Sequence, residues 1–305
     1  MSIRPVKRIV QAQATLEGAG VHLRRAFGFG NTEELDPFLL LDDFRNDEPE
    51  RYRQGFPWHP HRGIETITYV LAGTVDHADS LGNAGAIGPG DVQWMTAGSG
   101  IIHQEMPHGD EAGRMHGFQL WANLPAEHKM TTPRYQGILA GDVPEVTDDD
   151  GTAMRVICGD VWGVSGPVDG IAADPQYVDI WVPPLKKKRI PIETSRSAFA
   201  YVFAGSGRFA NASDPVAAPT ETLDENLTET IVPAAAAENR TLVMFDRGDE
   251  VVVTAGEEGI RFLLVSGQPL REPVSWYGPI VMNTRAEIQR ALAELNDGSF
   301  IKHRG

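Results

Sequence analysis

Cysteine is nearly absent from this sequence, with Cys158 the only one among 305 residues. No disulfide can form within one chain, and this scarcity fits a reducing compartment. A free cysteine is most often a small buried hydrophobic residue, so we assign Cys158 no catalytic role.

Positive charge and long apolar runs are also scarce. Lysine and arginine number 27 against 42 aspartates and glutamates, and the net charge of −15 argues against binding to nucleic-acid phosphates or anionic lipids. No run approaches the ~20 apolar residues of a membrane-spanning helix, and the N-terminal stretch lacks a signal-peptide core. We expect a soluble, cytoplasmic protein with no direct nucleic-acid or membrane partner, or a nuclear one if the source is eukaryotic.

Short segments with alternating apolar and polar residues dominate the chain. They are separated by many of its 32 glycines and 21 prolines. A period of two predicts β-strands, and many short strands predict an all-β sandwich or barrel. The clearest predicted strands are ETITYVLAG (65–73), YVDIWVPP (177–184), AYVFAGSGRF (200–209), EVVVTAG (250–256) and IRFLLVSG (260–267).

One segment near the C-terminus has the period of an α-helix instead. In NTRAEIQRALAELNDG, Thr284 and Glu287 have the spacing of a capping box, and Gly298 ends the pattern. We predict a helix over about 284–297 that packs across a sheet. Its apolar face is formed by Ile288, Ala291, Leu292 and Leu295.

An internal repeat predicts two related β-domains. YVLAG (69–73) recurs as YVFAG (201–205), and GDVQWMTAGSGI (90–101) resembles GDEVVVTAGEEGI (248–260), in the same order. The acidic, turn-rich segment 141–152 suggests a boundary, which gives domains 1–140 and 141–305. The second copy contains a polar insertion at about 211–240, which we expect to be a surface excursion.

Two short motifs in the first domain have the chemistry of a metal site. His59 and His61 are separated by one residue, as are His103 and Glu105, and residues i and i+2 of a strand point to the same face. Three imidazoles and one carboxylate suit a borderline divalent ion, namely iron, manganese, nickel, copper or zinc. We therefore predict one metal ion bound by His59, His61, His103 and Glu105.

The repeat provides a control for this interpretation. At the aligned positions the second copy has Pro191 and Glu193, and Phe262 and Leu264, so we expect no metal there. Four further histidines lack a partner at this spacing and are interpreted as structural, namely His77, His108, His116 and His128. Of these, His116 is a candidate support for the site, and Gln119 is a candidate inward-facing group.

Several long motifs resemble the pirin family of bicupins. They are HPHRGIETITYVLAG, HADSLGNAGAIGPGDVQWMTAGSGIIHQEMP and GFQLWANLP in the first half, and WYGPIVMNT (276–284) near the C-terminus. The resemblance implies two antiparallel cupin barrels with a C-terminal helix. It also implies a single iron in the first barrel, held at His59, His61, His103 and Glu105. The longer insertion at 211–240 departs from the family pattern.

The resemblance leaves two classes of function open. One is a mononuclear Fe(II) dioxygenase that cleaves quercetin-like flavonols, with the substrate's 3-hydroxyl and 4-carbonyl on the metal and Glu105 as catalytic base. The alternative is a metal- and redox-dependent regulatory protein, acting as a transcriptional cofactor or a modulator of a metabolic enzyme. Another metal-dependent small-molecule enzyme, such as a cupin isomerase, would use the same ligands. We expect a monomer whose partner is a small aromatic substrate or, in the alternative, a protein.

Overall fold

The computed structural model describes residues 2–211 and 236–303, and strands dominate them. Most of the predicted insertion at 211–240 lies outside the described residues. The strands of the first half are β1 (Val6–Gln11), β2 (Gln13–Glu17), β3 (Val21–Phe27), β4 (Phe38–Asp43), β5 (Phe56–His61), β6 (Ile64–Ala72), β7 (Thr74–Asp79), β8 (Ala84–Ile87), β9 (Val92–Thr96), β10 (Ile101–His108), β11 (His116–Asn123) and β12 (Arg134–Ile138). Short 3₁₀ turns lie at Pro49–Arg51, Ala126–His128 and Ala140–Asp142.

The second half adds twelve strands and the α-helix α1 (Arg285–Asp297). The strands are β13 (Glu145–Thr147), β14 (Ala153–Cys158), β15 (Asp160–Val161), β16 (Val164–Ser165), β17 (Gln176–Val182), β18 (Lys187–Pro191), β19 (Ser197–Phe209), β20 (Ala237–Glu238), β21 (Thr241–Phe245), β22 (Glu250–Gly267), β23 (Ser275–Tyr277) and β24 (Ile280–Met282). The predicted all-β fold with a C-terminal helix is confirmed.

The strands form two barrels with the same order. The first barrel combines the sheet β12-β9-β6-β11-β4-β3-β2 with the sheet β5-β10-β7-β8. The second barrel contains the order β1-β21-β19-β22-β17-β14-β13, to which β18 and β20 attach. The two seven-strand orders correspond position by position, and pairing between the named strands is antiparallel. The first strand of the chain, β1, thus joins the second barrel, although a division at residue 140 would place it in the first domain.

The prediction of separate strands at 250–256 and 260–267 is wrong. The two segments form the single long strand β22. Its first part pairs with β18 and its second part with β17, so one strand serves both faces of the second barrel. The chain passes through Gly259 at a φ of 79° without reversing, and a Cβ there would lie 2.4 Å from the Trp181 ring. The glycine therefore marks a bulge in a strand and not the turn that its sequence suggested.

The repeat is present, but its second segment matches non-equivalent strands. In the first barrel β6 lies between β9 and β11, whereas in the second the first part of β19 lies between β21 and the second part of β22. Strand β9 therefore corresponds to β21, and β10 corresponds to the first part of β22. The similarity of GDVQWMTAGSGI to GDEVVVTAGEEGI equates β9 with the first part of β22, which is not its structural counterpart. The two segments look alike because the same turn residues recur at many strand starts.

The corrected match changes the control positions. Phe209 lies four residues after Gly205, as His77 does after Gly73, and Phe209 pairs with Val253 where His77 pairs with Glu105. His103 pairs with His59, and Val251 pairs with Ile190 in the same manner. The counterparts of His59, His61, His103 and Glu105 are therefore Ile190, Ile192, Val251 and Val253, which are all buried in the core of the second barrel.

The large sheets of the two barrels pack against each other. Phe38, Trp94 and Phe118 of the first barrel share an apolar cluster with Phe199 and Leu263 of the second. Two hydrogen bonds cross the interface reciprocally. Tyr69 Oη donates to Asp179 Oδ2 at 2.8 Å, and its repeat counterpart Tyr201 donates through Oη to Asp43 Oδ2 at 2.8 Å. The repeat thus appears at the interface as two matched cross-barrel contacts.

The terminal helix begins and ends as its sequence indicates. Thr284 is the N-cap and forms the predicted capping box with Glu287, and Gly298 closes the helix at a φ of 79°. Ile288 and Ala291 pack on β24 and Phe300, not across one of the large sheets. Within residues 2–211 and 236–303, no helix combines the length and apolar character needed to cross a bilayer.

Candidate metal centre

Three of the predicted ligands lie on two neighbouring strands. In the pairing of β5 with β10, His103 lies opposite His59 and Ile101 lies opposite His61. The imidazole ring centroids are 4.8 Å apart for His59 and His61, 4.3 Å for His59 and His103, and 4.9 Å for His61 and His103. One ring nitrogen of each lies within 4.8 Å of one nitrogen of the other two, which is close enough for all three to bind one ion.

Backbone carbonyls orient two of these rings. His59 Nδ1 lies 2.8 Å from the Pro57 carbonyl oxygen, and His61 Nδ1 lies 3.2 Å from the Pro279 carbonyl oxygen. A carbonyl only accepts hydrogen bonds, so in each ring the Nδ1–H donates and Nε2 keeps its lone pair. The orientation typical of metal-binding histidines is thus present in both.

His103 has no hydrogen-bond partner at either ring nitrogen, although it is completely buried. Burial lowers the pKa of His103 well below its usual value, and burial likewise lowers that of His61, with the neighbouring imidazoles acting in the same direction. A buried, neutral imidazole without a partner would be costly in a purely structural role. A metal ion would satisfy it, so the donor set fits a divalent cation.

Glu105 lies beside these histidines, one step along β10. The register of β10 against β5 shifts between His103 and Glu105, with the extra residue on β5, whereas the pairing of β10 with β7 stays regular through Glu105. Glu105 Oε1 accepts a hydrogen bond from Thr68 Oγ1 at 3.0 Å. A carboxylate oxygen lies within 4.8 Å of a nitrogen of His103 and of His77. Glu105 is therefore placed with His103, and it lines the same cavity as His59 and His61.

His77 belongs to this neighbourhood, although its sequence context indicated only a structural role. It is 3% exposed, its ring centroid lies 5.4 Å from that of His103, and it stacks on Tyr135 at 5.0 Å. Its Nε2 lies 3.2 Å from Asp79 Oδ2, whereas its Nδ1 has no partner. The signal that could have identified it is the His77-Ala78-Asp79 spacing, another i, i+2 pair on an alternating strand.

The other groups considered from the sequence lie elsewhere or on the cavity wall. His116 is not part of the cavity lining, and its Nε2 contacts Asp47 Oδ1 at 2.5 Å. Gln119 does lie on the wall, as expected. Burial raises the pKa of the Cys158 thiol to about 12, in keeping with its expected inert role.

A cavity of about 630 Å³ opens from the candidate centre into the first barrel. His59, His61 and Glu105 lie on its wall. Two tryptophans also line it: Trp121 meets the His61 ring edge-on at 5.1 Å, and Trp276 lies 6.0 Å from Trp121. The volume is in the usual range for a small-molecule site, and the aromatic walls favour a flat, apolar ligand.

The C-terminal segment of the chain supports this centre from outside the first barrel. The buried Arg62 guanidinium donates from Nε to the Ser99 carbonyl at 2.7 Å and pairs with Glu294 of α1 at 2.7 Å. Lys129 Nζ donates to the carbonyls of Gly63 and Val281, at 2.8 and 3.0 Å. The contact between His61 and Pro279 and the pair of Arg62 with Glu294 thus fasten the end of β5 to residues more than 200 positions away in sequence, and Lys129 bridges Gly63 to Val281.

The family model for pirin matches residues 20–122, and the model for the pirin C-terminal cupin domain matches residues 177–301. A pirin-like protein of Caulobacter vibrioides is 42% identical over 301 residues, which cover 98% of this chain and 100% of that protein.

Two solved structures show the same fold. The crystal structure of quercetin 2,3-dioxygenase from Acinetobacter baumannii is 32% identical, with a TM-score of 0.83 over 98% of this chain and 99% of that one. The bacterial pirin YhhW from Escherichia coli, solved in complex with nickel(II), is 20% identical, with a TM-score of 0.60 over 86% of this chain and 100% of that one. The second likeness concerns the fold alone.

The predicted bicupin fold is therefore confirmed by two barrels of matching strand order and by its structural relatives. The family models cover one segment in each barrel, and the Caulobacter relative extends the match over nearly the whole chain. With the motifs, the fold and these alignments in agreement, the chain belongs to the pirin family.

Proposed function

We propose that this protein is a metal-dependent oxygenase that cleaves flavonols such as quercetin, with iron(II) held by His59, His61, His103 and Glu105. The observation that carries the proposal is a cluster of three imidazoles, with a carboxylate beside His103, next to an aromatic-lined cavity. The likeness to a protein named quercetin 2,3-dioxygenase supports the choice of substrate class. Manganese, nickel, copper and zinc suit the same donors.

The side chains divide the work between holding the ion and moving a proton. When bound, the ion would supply redox-active Lewis-acid chemistry toward a chelating substrate and dioxygen. The Pro57 and Pro279 carbonyls keep the ring proton of His59 and His61 on Nδ1, so that Nε2 is free to bind the ion. Thr68 holds Glu105 Oε1, which leaves Oε2 to accept the proton of the substrate's 3-hydroxyl as a general base.

The cavity wall provides aromatic surfaces that can orient the substrate. Trp121 and Trp276 present flat faces near His61 against which a fused aromatic ring system can lie.

The test is anaerobic reconstitution with Fe(II), followed by addition of oxygen and quercetin. We expect one equivalent of iron per chain and oxygen uptake in step with loss of the flavonol absorbance. The Glu105→Gln variant should lose turnover by a factor of at least about 100 while keeping its circular dichroism spectrum. Glu127→Gln, at an exposed carboxylate outside the cavity lining, is the matched control. Unchanged oxygen uptake in Glu105→Gln would remove Glu105 as the base, and no uptake by the iron-loaded protein with any flavonol would remove the oxygenase proposal.

The regulatory alternative stays a prediction. No surface or contact in the described parts of the chain favours it over the enzyme. The monomeric state and the cytoplasmic location also stay predictions.

A further inference from the structure

A row of polar side chains crosses the large sheet of the first barrel at right angles to its strands. Thr68 of β6 pairs with Gln119 of β11, Gln119 pairs with Asp42 of β4, and Asp42 pairs with Arg25 of β3. Laterally paired residues have side chains on the same face of a sheet, and all four of these line the cavity. Neighbouring strands lie ~4.8 Å apart, so the row extends ~10 Å from Thr68 to Asp42.

The near end of the row belongs to the candidate metal centre. Thr68 Oγ1 lies 3.0 Å from Glu105 Oε1 and 2.6 Å from Gln119 Oε1. A hydroxyl has one proton, so Thr68 donates to one of these oxygens at a time, or accepts from Gln119 after a half-turn of the amide. The row therefore begins at the proposed base.

The far end of the row is a carboxylate held in place by an arginine. Arg25 donates from Nε to Asp42 Oδ1 at 2.8 Å and from Nη2 to Asp42 Oδ2 at 2.7 Å, while its Nη1 contacts Glu17 Oε1 at 2.8 Å. Asp42 is 5% exposed, yet it faces the cavity. Each of its oxygens takes one hydrogen bond from Arg25 and retains a lone pair. Arg25, Asp42 and Glu17 together have a net charge of −1. This charge favours a ligand that offers a neutral hydrogen-bond donor over an anionic ligand.

The second barrel shows that the fold does not need this row. Its equivalent positions follow from the same lateral pairs, in which Ala200 pairs with Leu264, Leu264 with Val178, and Val178 with Val156. All four are buried apolar residues of that barrel's core. A buried ion pair is weak evidence for added stability, because desolvation offsets much of its attraction. The polar row is therefore a feature of the first barrel's cavity and not of the barrel architecture.

We propose that the Asp42 carboxylate, oriented by Arg25, recognises hydroxyl groups on the end of the ligand remote from the metal. The cavity then selects neutral aromatic compounds that have a chelating group at one end and hydroxyls at the other. This inference rests on the proposed function for the chelating end, since Glu105 and the histidines hold the other end of the same ligand. In sequence, the cavity-wall residues on either side of Asp42 are the apolar Leu40 and Phe44, so a hydroxyl placed against them would gain little.

The experiment measures binding without turnover, in protein loaded with zinc, which has no redox chemistry. Three flavonols with the same 3-hydroxy-4-keto unit are titrated by fluorescence: quercetin, with hydroxyls at 3′ and 4′; galangin, with an unsubstituted ring; and a 4′-carboxylate analogue. We expect quercetin to bind about tenfold more tightly than galangin, the effect of one hydrogen bond to a charged group, and the carboxylate to bind more weakly than galangin.

The variant Asp42→Asn then tests the residue itself. In this variant, quercetin should bind no more than about threefold more tightly than galangin. The control is Asp47→Asn, at an exposed aspartate outside the cavity wall, which should keep the affinity ratio of the unmodified protein. If Asp42→Asn does not fold, the ligand series with the unmodified protein decides alone.

The outcomes separate this inference from the proposed function. Binding of quercetin and galangin with equal affinity would overturn the role of Asp42 and leave the chelating site intact. Tighter binding of the carboxylate would overturn it too and make Arg25 the recognising group. If no flavonol binds the zinc-loaded protein, the proposed function and this inference both fall.

Discussion

The two barrels have the same strand order, yet they treat equivalent interior positions in opposite ways. In the first, His59, His61 and His103 come together beside a cavity, and Glu105 lies next to His103. In the second, the equivalent positions are Ile190, Ile192, Val251 and Val253, and they belong to a continuous apolar core. Lateral pairing and alternation define the barrel in both halves. The difference shows that the polar set is an addition to the fold, kept in spite of the cost of burying imidazoles and a carboxylate.

The largest effect is expected when the first barrel's chemistry is transferred to the second. Val253→Glu places the counterpart of Glu105 in a packed apolar core. We expect the free energy of unfolding to fall by about 3–5 kcal/mol, because the carboxylate has neither a metal nor a donor there. Urea unfolding measures this change. Val253→Thr, with nearly the same shape, should cost only about 1–2 kcal/mol. A loss below 1 kcal/mol for the glutamate would mean that the second barrel tolerates polar groups as the first does.

The reverse change makes the first barrel resemble the second. His103→Leu removes the imidazole that has no partner at either nitrogen. We expect the metal content to fall below one tenth of an equivalent and turnover to fall at least about 100-fold, since loss of even an outer partner of a metal ligand costs 10–100-fold. The free energy of unfolding of the variant should stay within about 1 kcal/mol of that of the metal-free unmodified protein, because the substitution removes no hydrogen bond. Retention of a full equivalent of metal, measured by elemental analysis, would contradict the ligand assignment.

A buried acid distinguishes the barrels in their response to pH. Burial raises the pKa of Glu65 from its usual value of 4.5 to about 7, although Thr96 Oγ1 donates to it at 2.7 Å. The repeat places Ser197 at the equivalent position. A raised carboxyl pKa means that the folded state binds more protons than the unfolded state between pH 4.5 and 7. Glu65 therefore stabilises the fold most below pH 4.5, and this contribution is lost as the pH rises through 7.

The variant Glu65→Gln removes that titration. Relative to Glu65→Gln, the unmodified protein should lose about 2–3 kcal/mol of unfolding free energy between pH 4.5 and 7. Urea unfolding at several pH values gives the difference directly. Parallel curves for the two proteins across this range would show that Glu65 is not protonated when folded.

The smallest effect concerns the contacts in which the barrels are alike. Tyr69→Phe and Tyr201→Phe each remove one hydroxyl that bonds to an aspartate of the other barrel. Each aspartate keeps an arginine partner, Arg261 for Asp179 and Arg45 for Asp43. We expect each change to cost about 1 kcal/mol in thermal or urea unfolding, and the two costs to agree within 0.5 kcal/mol. Markedly unequal costs would show that the interface is less symmetric than the repeat suggests.

Much of the fold could be read from local patterns, because a strand's alternation and a helix's caps depend on neighbouring residues. Local patterns predict the strand segments near 65–73, 177–184 and 200–209 and the helix at about 284–297, which the structure places at 285–297. They do not predict the long strand β22, since its glycine forms a bulge only because β17 and β18 pair on either side of it. The second repeat segment was mismatched for a similar reason: strand order depends on pairing between distant segments.

The candidate site likewise combines features set by local sequence with features set by long-range contacts. The sequence by itself determined that His59 and His61 point together and that His103 and Glu105 follow on another strand, because the i, i+2 relation is local. Tertiary structure alone decided which side chains surround them. It brought His77 against His103, aligned Thr68, Gln119, Asp42 and Arg25 across four strands, and folded the C-terminal segment back onto His61. These contacts follow from sheet register and from packing between residues far apart in the chain, which no local spacing encodes.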